Sequence, residues 1–97
     1  MSAVRLIITL NAAPGMGAEF AAAFVERCRE VMSEPGCQQF EVFRSELEPD
    51  KLVLLELWES EAALAEHARM NQTRAPLPAH LRGPGATRED YLYARKG

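Results

Sequence analysis

The spacing of apolar residues along this chain changes from every second position to every third or fourth and back again, and each change marks an element. Residues 3–11, Ala-Val-Arg-Leu-Ile-Ile-Thr-Leu-Asn, are rich in β-branched side chains and run into Pro14-Gly15 and Gly17, which predicts a strand ending in a turn. From Met16 to Met32 the apolar Met16, Phe20, Phe24, Cys28 and Val31 recur at helical steps, so a helix with one buried stripe is expected. Cys28 lies on that stripe and reads as a core side chain. The helix must end near Ser33-Glu34-Pro35-Gly36, because proline disfavours helical geometry in the residue before it and glycine relaxes the turn.

Residues 37–46 alternate again, with Phe40, Val42 and Arg44 on one side and Glu41, Phe43 and Ser45 on the other, as a strand does. Glu48-Pro49-Asp50-Lys51 turns the chain into a third strand over 52–59, close enough in sequence to form an antiparallel hairpin with the second. One face of that strand carries Leu52, Leu54, Glu56 and Trp58, the other Val53, Leu55, Leu57 and Glu59. Apolar side chains on both faces require that both sides of the sheet be covered. Ser60 is placed to cap a second helix over 61–70, with Glu61 favourable to its dipole and an inward stripe of Ala63, Leu64, His67, Ala68 and Asn71. Residues 71–87 hold Pro76, Pro78, Gly83, Pro84 and Gly85 and are expected to form a lid with a helical turn around 79–82. Alternation over 88–95 predicts a fourth strand.

The order strand, helix, strand, strand, helix, strand is the βαββαβ arrangement of ferredoxin-like α+β folds, with both helices on one face of a four-stranded antiparallel sheet. The opposite face would then be bare although the strands offer it apolar side chains, so a homodimer pairing two sheets face to face is expected. With 97 residues there is room for one domain.

Composition narrows the function classes. Eleven basic against fourteen acidic residues give a net charge of -3 with no basic run, which leaves phosphate-backbone binding without an electrostatic basis. Apolar runs such as Leu52-Val53-Leu54-Leu55 fall far short of the roughly 20 residues of a membrane helix. The start Met1-Ser2-Ala3-Val4-Arg5 lacks the pattern of a secretory signal, so a cytoplasmic protein is expected. Cys28 and Cys37 suit neither a disulfide framework nor a zinc site and are expected to be reduced.

Among candidate chemical groups His67 stands out, because an otherwise Ala and Leu stripe turns an imidazole toward the sheet, where its neutral form could exchange a proton near neutral pH. A buried histidine that only satisfies its hydrogen bonds is the alternative. Trp58 and Glu56 share a strand face just before that helix, so the three residues can line one cavity, with the indole stacking on a planar ligand. Alternatively Trp58 is core and Glu56 pairs with Arg5 or Arg44. Leu54, Arg44 and Asn71 are further candidates for contact with a small aromatic substrate. Gly15-Met16-Gly17 opens a helix after a strand but lacks a third glycine, so it reads as turn chemistry and not a phosphate loop. His80 is expected in solvent, and Tyr91 and Tyr93 on one face of the last strand. No metal-ligand spacing, nucleophile elbow, flavin or nicotinamide fingerprint occurs, so an enzyme built on this chain is expected to need no embedded cofactor.

The segments Glu34-Pro-Gly-Cys-Gln-Gln-Phe40 and Leu54-Leu-Glu-Leu-Trp58-Glu-Ser-Glu-Ala-Ala-Leu-Ala-Glu-His67 resemble the antibiotic biosynthesis monooxygenase family of the dimeric α+β barrel superfamily, over roughly residues 3–70. The resemblance implies homodimers with an apolar pocket between sheet and helices. It also implies cofactor-independent oxidation of quinol-like or aromatic polyketide substrates by molecular oxygen. On that reading His67 is the proton acceptor or phenolate partner and Trp58 the stacking wall. Ile8 stands near the place of the first-strand asparagine of haem-degrading relatives, which argues against haem degradation. A non-catalytic small-ligand-binding dimer and a proton-transfer isomerase acting on a small carbonyl compound remain as alternatives, since a scaffold does not fix its activity.

Overall fold

In the computed structural model, which describes residues 2–97, strand β1 (Ala3–Ala12) leads to helix α1 (Gly17–Met32), then β2 (Cys37–Arg44), β3 (Lys51–Trp58) and helix α2 (Glu61–Asn71). A 3-10 turn at Ala79–Leu81 precedes β4 (Arg82–Tyr93). The sheet order is β2-β3-β1-β4, with antiparallel pairing throughout. This is the expected βαββαβ ferredoxin-like arrangement.

Local chemistry explains the element ends. Met16 offers α1 no side-chain cap, and Asp50 from the β2–β3 turn supplies one, accepting from the Gly15 and Gly17 amides at 2.9 and 3.0 Å. The Gly-Met-Gly segment thus holds a carboxylate of its own chain at the positive end of the helix. Ser60 caps α2 as expected, its hydroxyl accepting from the Ala63 amide at 3.1 Å. Gly36, at φ +81°, closes the α1–β2 turn in a conformation that favours glycine, and a Cβ there would lie 2.5 Å from that of Ala63. Its missing side chain lets the first turn of α2 press on the α1–β2 turn.

The register Val4↔Trp58, Leu6↔Glu56, Ile8↔Leu54 and Leu10↔Leu52 puts these residues on the helix-covered face. Trp58, Phe20, Leu6, Leu52 and Val31 are its most deeply buried side chains. The helices cover this face unequally. α1 lies closely along β2, whereas α2 touches the sheet at few points, and His67 is the buried residue of α2. On the opposite face Ile7, Val53, Leu55 and Leu57 are half-buried, and Phe43 and Tyr91 stand exposed. Arg5 lies on that face too, donating to Gln39 Oε1 at 2.6 Å with its guanidinium 5.0 Å from the Tyr93 ring centre.

The main departure from expectation concerns residues 82–87. They belong to β4 and not to a lid, which confines the irregular connection largely to residues 72–78. Proline is tolerated because β4 is an edge strand. A Cβ at Gly83 would lie 2.6 Å from the Ala12 carbonyl oxygen, so only glycine fits the strand against β1 there. The register shifts between Leu10 and Ala12, and Asn11 Nδ2 donates to the Pro84 and Gly85 carbonyls at 3.2 and 2.9 Å. The residues that looked like loop punctuation are those of a bulged edge. No helix among the described residues is long and apolar enough to cross a membrane.

Candidate functional site

The Ser60 cap sets the phase of α2, and two turns later that phase turns His67 onto the sheet, within the inward stripe. Its ring centre is 4.7 Å from that of Trp58, tilted by 30°, and 5.6 Å from that of Phe40. Nδ1 lies 2.9 Å from Glu34 Oε1, and both side chains are buried. A carboxylate only accepts, so Nδ1 carries the hydrogen, and in the neutral ring Nε2 is the acceptor. The other oxygen, Glu34 Oε2, is 2.6 Å from an Arg74 guanidinium nitrogen, an ionic contact without aligned hydrogen-bond geometry. Arg74 also approaches Glu30 of α1 at 3.6 Å. An arginine of the connection after α2 thus braces the carboxylate that orients the histidine.

Glu56 is the second buried acid. Its Oε1 accepts from the Trp58 indole nitrogen at 2.9 Å, and Arg5 reaches only the Glu56 backbone carbonyl, at 3.4 Å, so the carboxylate is ion-paired with neither Arg5 nor Arg44. Burial pushes its pKa up, against smaller opposing pulls from the Trp58 hydrogen bond and His67. Across β1, Arg88 of β4 makes a two-pronged contact with Asp90, at 2.7 and 2.9 Å.

Because α2 stands off the sheet, a cavity of about 1380 Å³ opens between them and extends beneath residues 74–84. Leu54, Glu56, His67 and Asn71 line it, and the structure brings these four expected residues together. Two others lie elsewhere. Trp58 is fully buried behind His67 and backs the imidazole instead of forming the cavity wall. Arg44 is exposed at the end of the edge strand β2, outside the cavity lining. Reading the sequence missed Glu34 and Arg74. Glu34 sits in a Glu-Pro-Gly run that registers only as a helix stop, and Arg74 in a connection without periodicity. Among the described residues no three His, Cys, Asp or Glu side chains are grouped so as to hold a metal ion. Cys28 and Cys37 are free thiols, both half-buried.

The model of the family described as antibiotic biosynthesis monooxygenase matches residues 3–84. The chain belongs to the antibiotic biosynthesis monooxygenase family. The match takes in residues 71–84, beyond the reach of the motifs that first suggested this family, and ends within β4. Solved structures agree in fold. A Caulobacter crescentus protein proposed to be an antibiotic biosynthesis monooxygenase is 25% identical with a TM-score of 0.75, the alignment covering 97% of this chain and 92% of that one. A Nitrosomonas europaea protein proposed to have the same activity is 17% identical with a TM-score of 0.77, over 95% and 90% of the two chains. A Pseudomonas aeruginosa protein is 19% identical with a TM-score of 0.76, over 98% and 97%. Among curated proteins, none matches the chain. Family membership accounts for the fold and leaves the substrate and the chemistry to the residues of the cavity.

Proposed function

We propose that this chain oxidises a quinol-like or aromatic polyketide substrate with molecular oxygen in the cavity beneath α2, taking its electrons from the substrate and needing no flavin, haem or metal. The observation that carries this reading is the buried pair of Glu34 and His67, whose histidine lines a chamber large enough for several fused rings.

His67 Nε2 accepts the phenolic proton, and the resulting electron-rich anion adds oxygen at its activated ring carbon to give a peroxide anion. The proton returns from His67, and the hydroperoxide loses water to leave a carbonyl. Written for the keto tautomer, a CH2 group and O2 become C=O and H2O, so the four electrons that reduce oxygen come from that carbon. The protein's part is to desolvate, orient and deprotonate. Trp58 holds the imidazole from behind, and Glu56, whose burial favours the protonated form, is suited to donate a hydrogen bond to a ligand oxygen.

The homodimer belongs to the same reading. Members of this family are commonly dimeric, and Ile7, Val53, Leu55, Leu57 and Phe43 present an apolar sheet face for a second copy to cover.

Oxygen consumption by the purified protein against quinols and anthrone-like phenols, with autoxidation controls, tests the proposal. Saturable uptake is expected, falling by about 10²-fold in His67→Gln. Equal loss of activity and melting temperature would make His67 structural. Saturable binding without oxygen uptake would support a non-catalytic ligand-binding role instead.

A further inference from the structure

Four arginines line the cavity, Arg27, Arg74, Arg82 and Arg88, in a chain whose net charge is -3. Arg74 is committed to Glu34 and Glu30, and Arg88 to Asp90. The other two have no carboxylate within ion-pair distance among the described residues. Arg82 sets its guanidinium 5.7 Å from the ring centre of the buried Phe20. Arg27 spends one N–H on the Ala75 carbonyl, at 2.5 Å, which leaves most of its donors available. Phe24, one turn after Phe20 on the buried stripe of α1, also lines the cavity.

The acids of the lining gather at the other end. Glu56 is level with Leu6, and Glu61 lies beside Leu92, which is level with Val4. Arg82 is level with Ala12, six positions along β1 from Leu6, or roughly 20 Å at strand rise. The cavity is thus polarised along its length, with acids and His67 at one end and the unmatched guanidinium of Arg82 at the other, while Arg27 is tied to Ala75 of the connection after α2.

We propose that the substrate of this cavity is an elongated aromatic acid, whose carboxylate is held by Arg82 with support from Arg27 while its neutral ring reaches His67. This rests on the reading of the cavity as an aromatic site and adds the charge and orientation of what it takes. Arginine suits a carboxylate through its planar fork, and Arg82, itself exposed and held over the Phe20 ring, presents that fork without an ion-pair partner among the described residues. The same polarity disfavours the reversed pose, which would set the acid against Glu56 and Glu61.

The test uses two probes of one shape, 2-anthracenecarboxylate and 2-anthracenemethanol, titrated by fluorescence into wild-type protein, Arg82→Gln, Arg27→Gln and the surface control Arg69→Gln. The expected result is a carboxylate preference of about fivefold at low ionic strength in wild type and in Arg69→Gln, which shrinks in Arg82→Gln and with added salt. Arg27→Gln should show an intermediate ratio. A ratio of affinities is insensitive to the fraction of folded protein, so partial misfolding does not mimic the effect. Equal affinity for the two probes, or a preference unchanged in both cavity variants, overturns the anionic substrate and leaves the aromatic cavity standing. Failure of both probes to bind overturns the aromatic cavity and this proposal with it.

Discussion

Glu34 and His67 meet at 2.9 Å across thirty-three residues of sequence, joining the turn after α1 to the inner face of α2. This contact fixes which ring nitrogen carries the hydrogen, and Arg74 closes the arrangement from the connection beyond α2.

Replacing Glu34 is therefore expected to act in proportion to what it leaves unpaired. Glu34→Gln retains an oxygen for Nδ1–H and should cost about 1–3 kcal/mol, whereas Glu34→Leu strands both His67 and Arg74 and should cost about 3–5 kcal/mol. Urea denaturation of the two variants measures the difference. Equal destabilisation would mean that the contact does not hold the site together.

Glu56 gives the stability curve a defined slope. Its pKa is raised in the folded protein above the ordinary 4.5, chiefly by burial, so the native state holds this proton more tightly than the unfolded one. The stabilisation is complete below the ordinary value and is lost as pH climbs through the folded value. Glu56→Gln removes the titration and can still accept from the Trp58 indole. Thermal melts from pH 4 to pH 8 should show the variant gaining on wild type as pH rises; a gap independent of pH would refute this origin.

Leu55 pairs with Ile7 and Glu41 at the middle of the open sheet face. Leu55→Glu should leave the circular dichroism spectrum intact and weaken self-association by at least about tenfold, since a charge would enter an apolar contact. Sedimentation velocity reads the change, and a wild type that stays monomeric at tens of micromolar would refute the face-to-face dimer.

Burial, helped by the carboxyl groups of Glu34 and Glu56, pushes the Cys37 thiol up to about 11. The thiolate is the reactive form, so alkylation by iodoacetamide at pH 8 should run about 100-fold slower than for an ordinary cysteine whose pKa is 9.0. A mass-spectrometric time course checks this, and rapid labelling of Cys37 would contradict the burial described above.

The legible parts of this molecule are those governed by local rules. Periodicity located the helices and strands, the serine before α2 announced its cap, and the face shared by Leu54 and Glu56 followed from the pleat. The rest depends on partners distant in sequence. Glu34 became meaningful only once α2 packed against the α1–β2 turn, and Gly83 to Gly85 read as a loop because the strand that receives them is far upstream. Trp58 was expected to face a ligand, but the sheet face alone could not reveal that His67 would stand in front of it. Arg44 shares the parity of the cavity residues yet stands exposed on the edge strand β2, to the side of the cavity.

The uneven attachment of the two helices divides the molecule into a stiff half and a compliant half. α1 is clamped at its start, where Asp50 binds the Gly15 and Gly17 amides and its own carbonyl accepts from Ala12 at 2.7 Å, and it lies closely along β2 beyond that. α2 is secured at its Ser60 cap and at His67, with a void under much of its length. Local opening thus requires least work at α2, whose backbone amides should exchange with solvent before those of α1. The side chain that anchors the compliant helix is the one that faces the void, so a ligand filling it would slow the breathing of the helix that admits it.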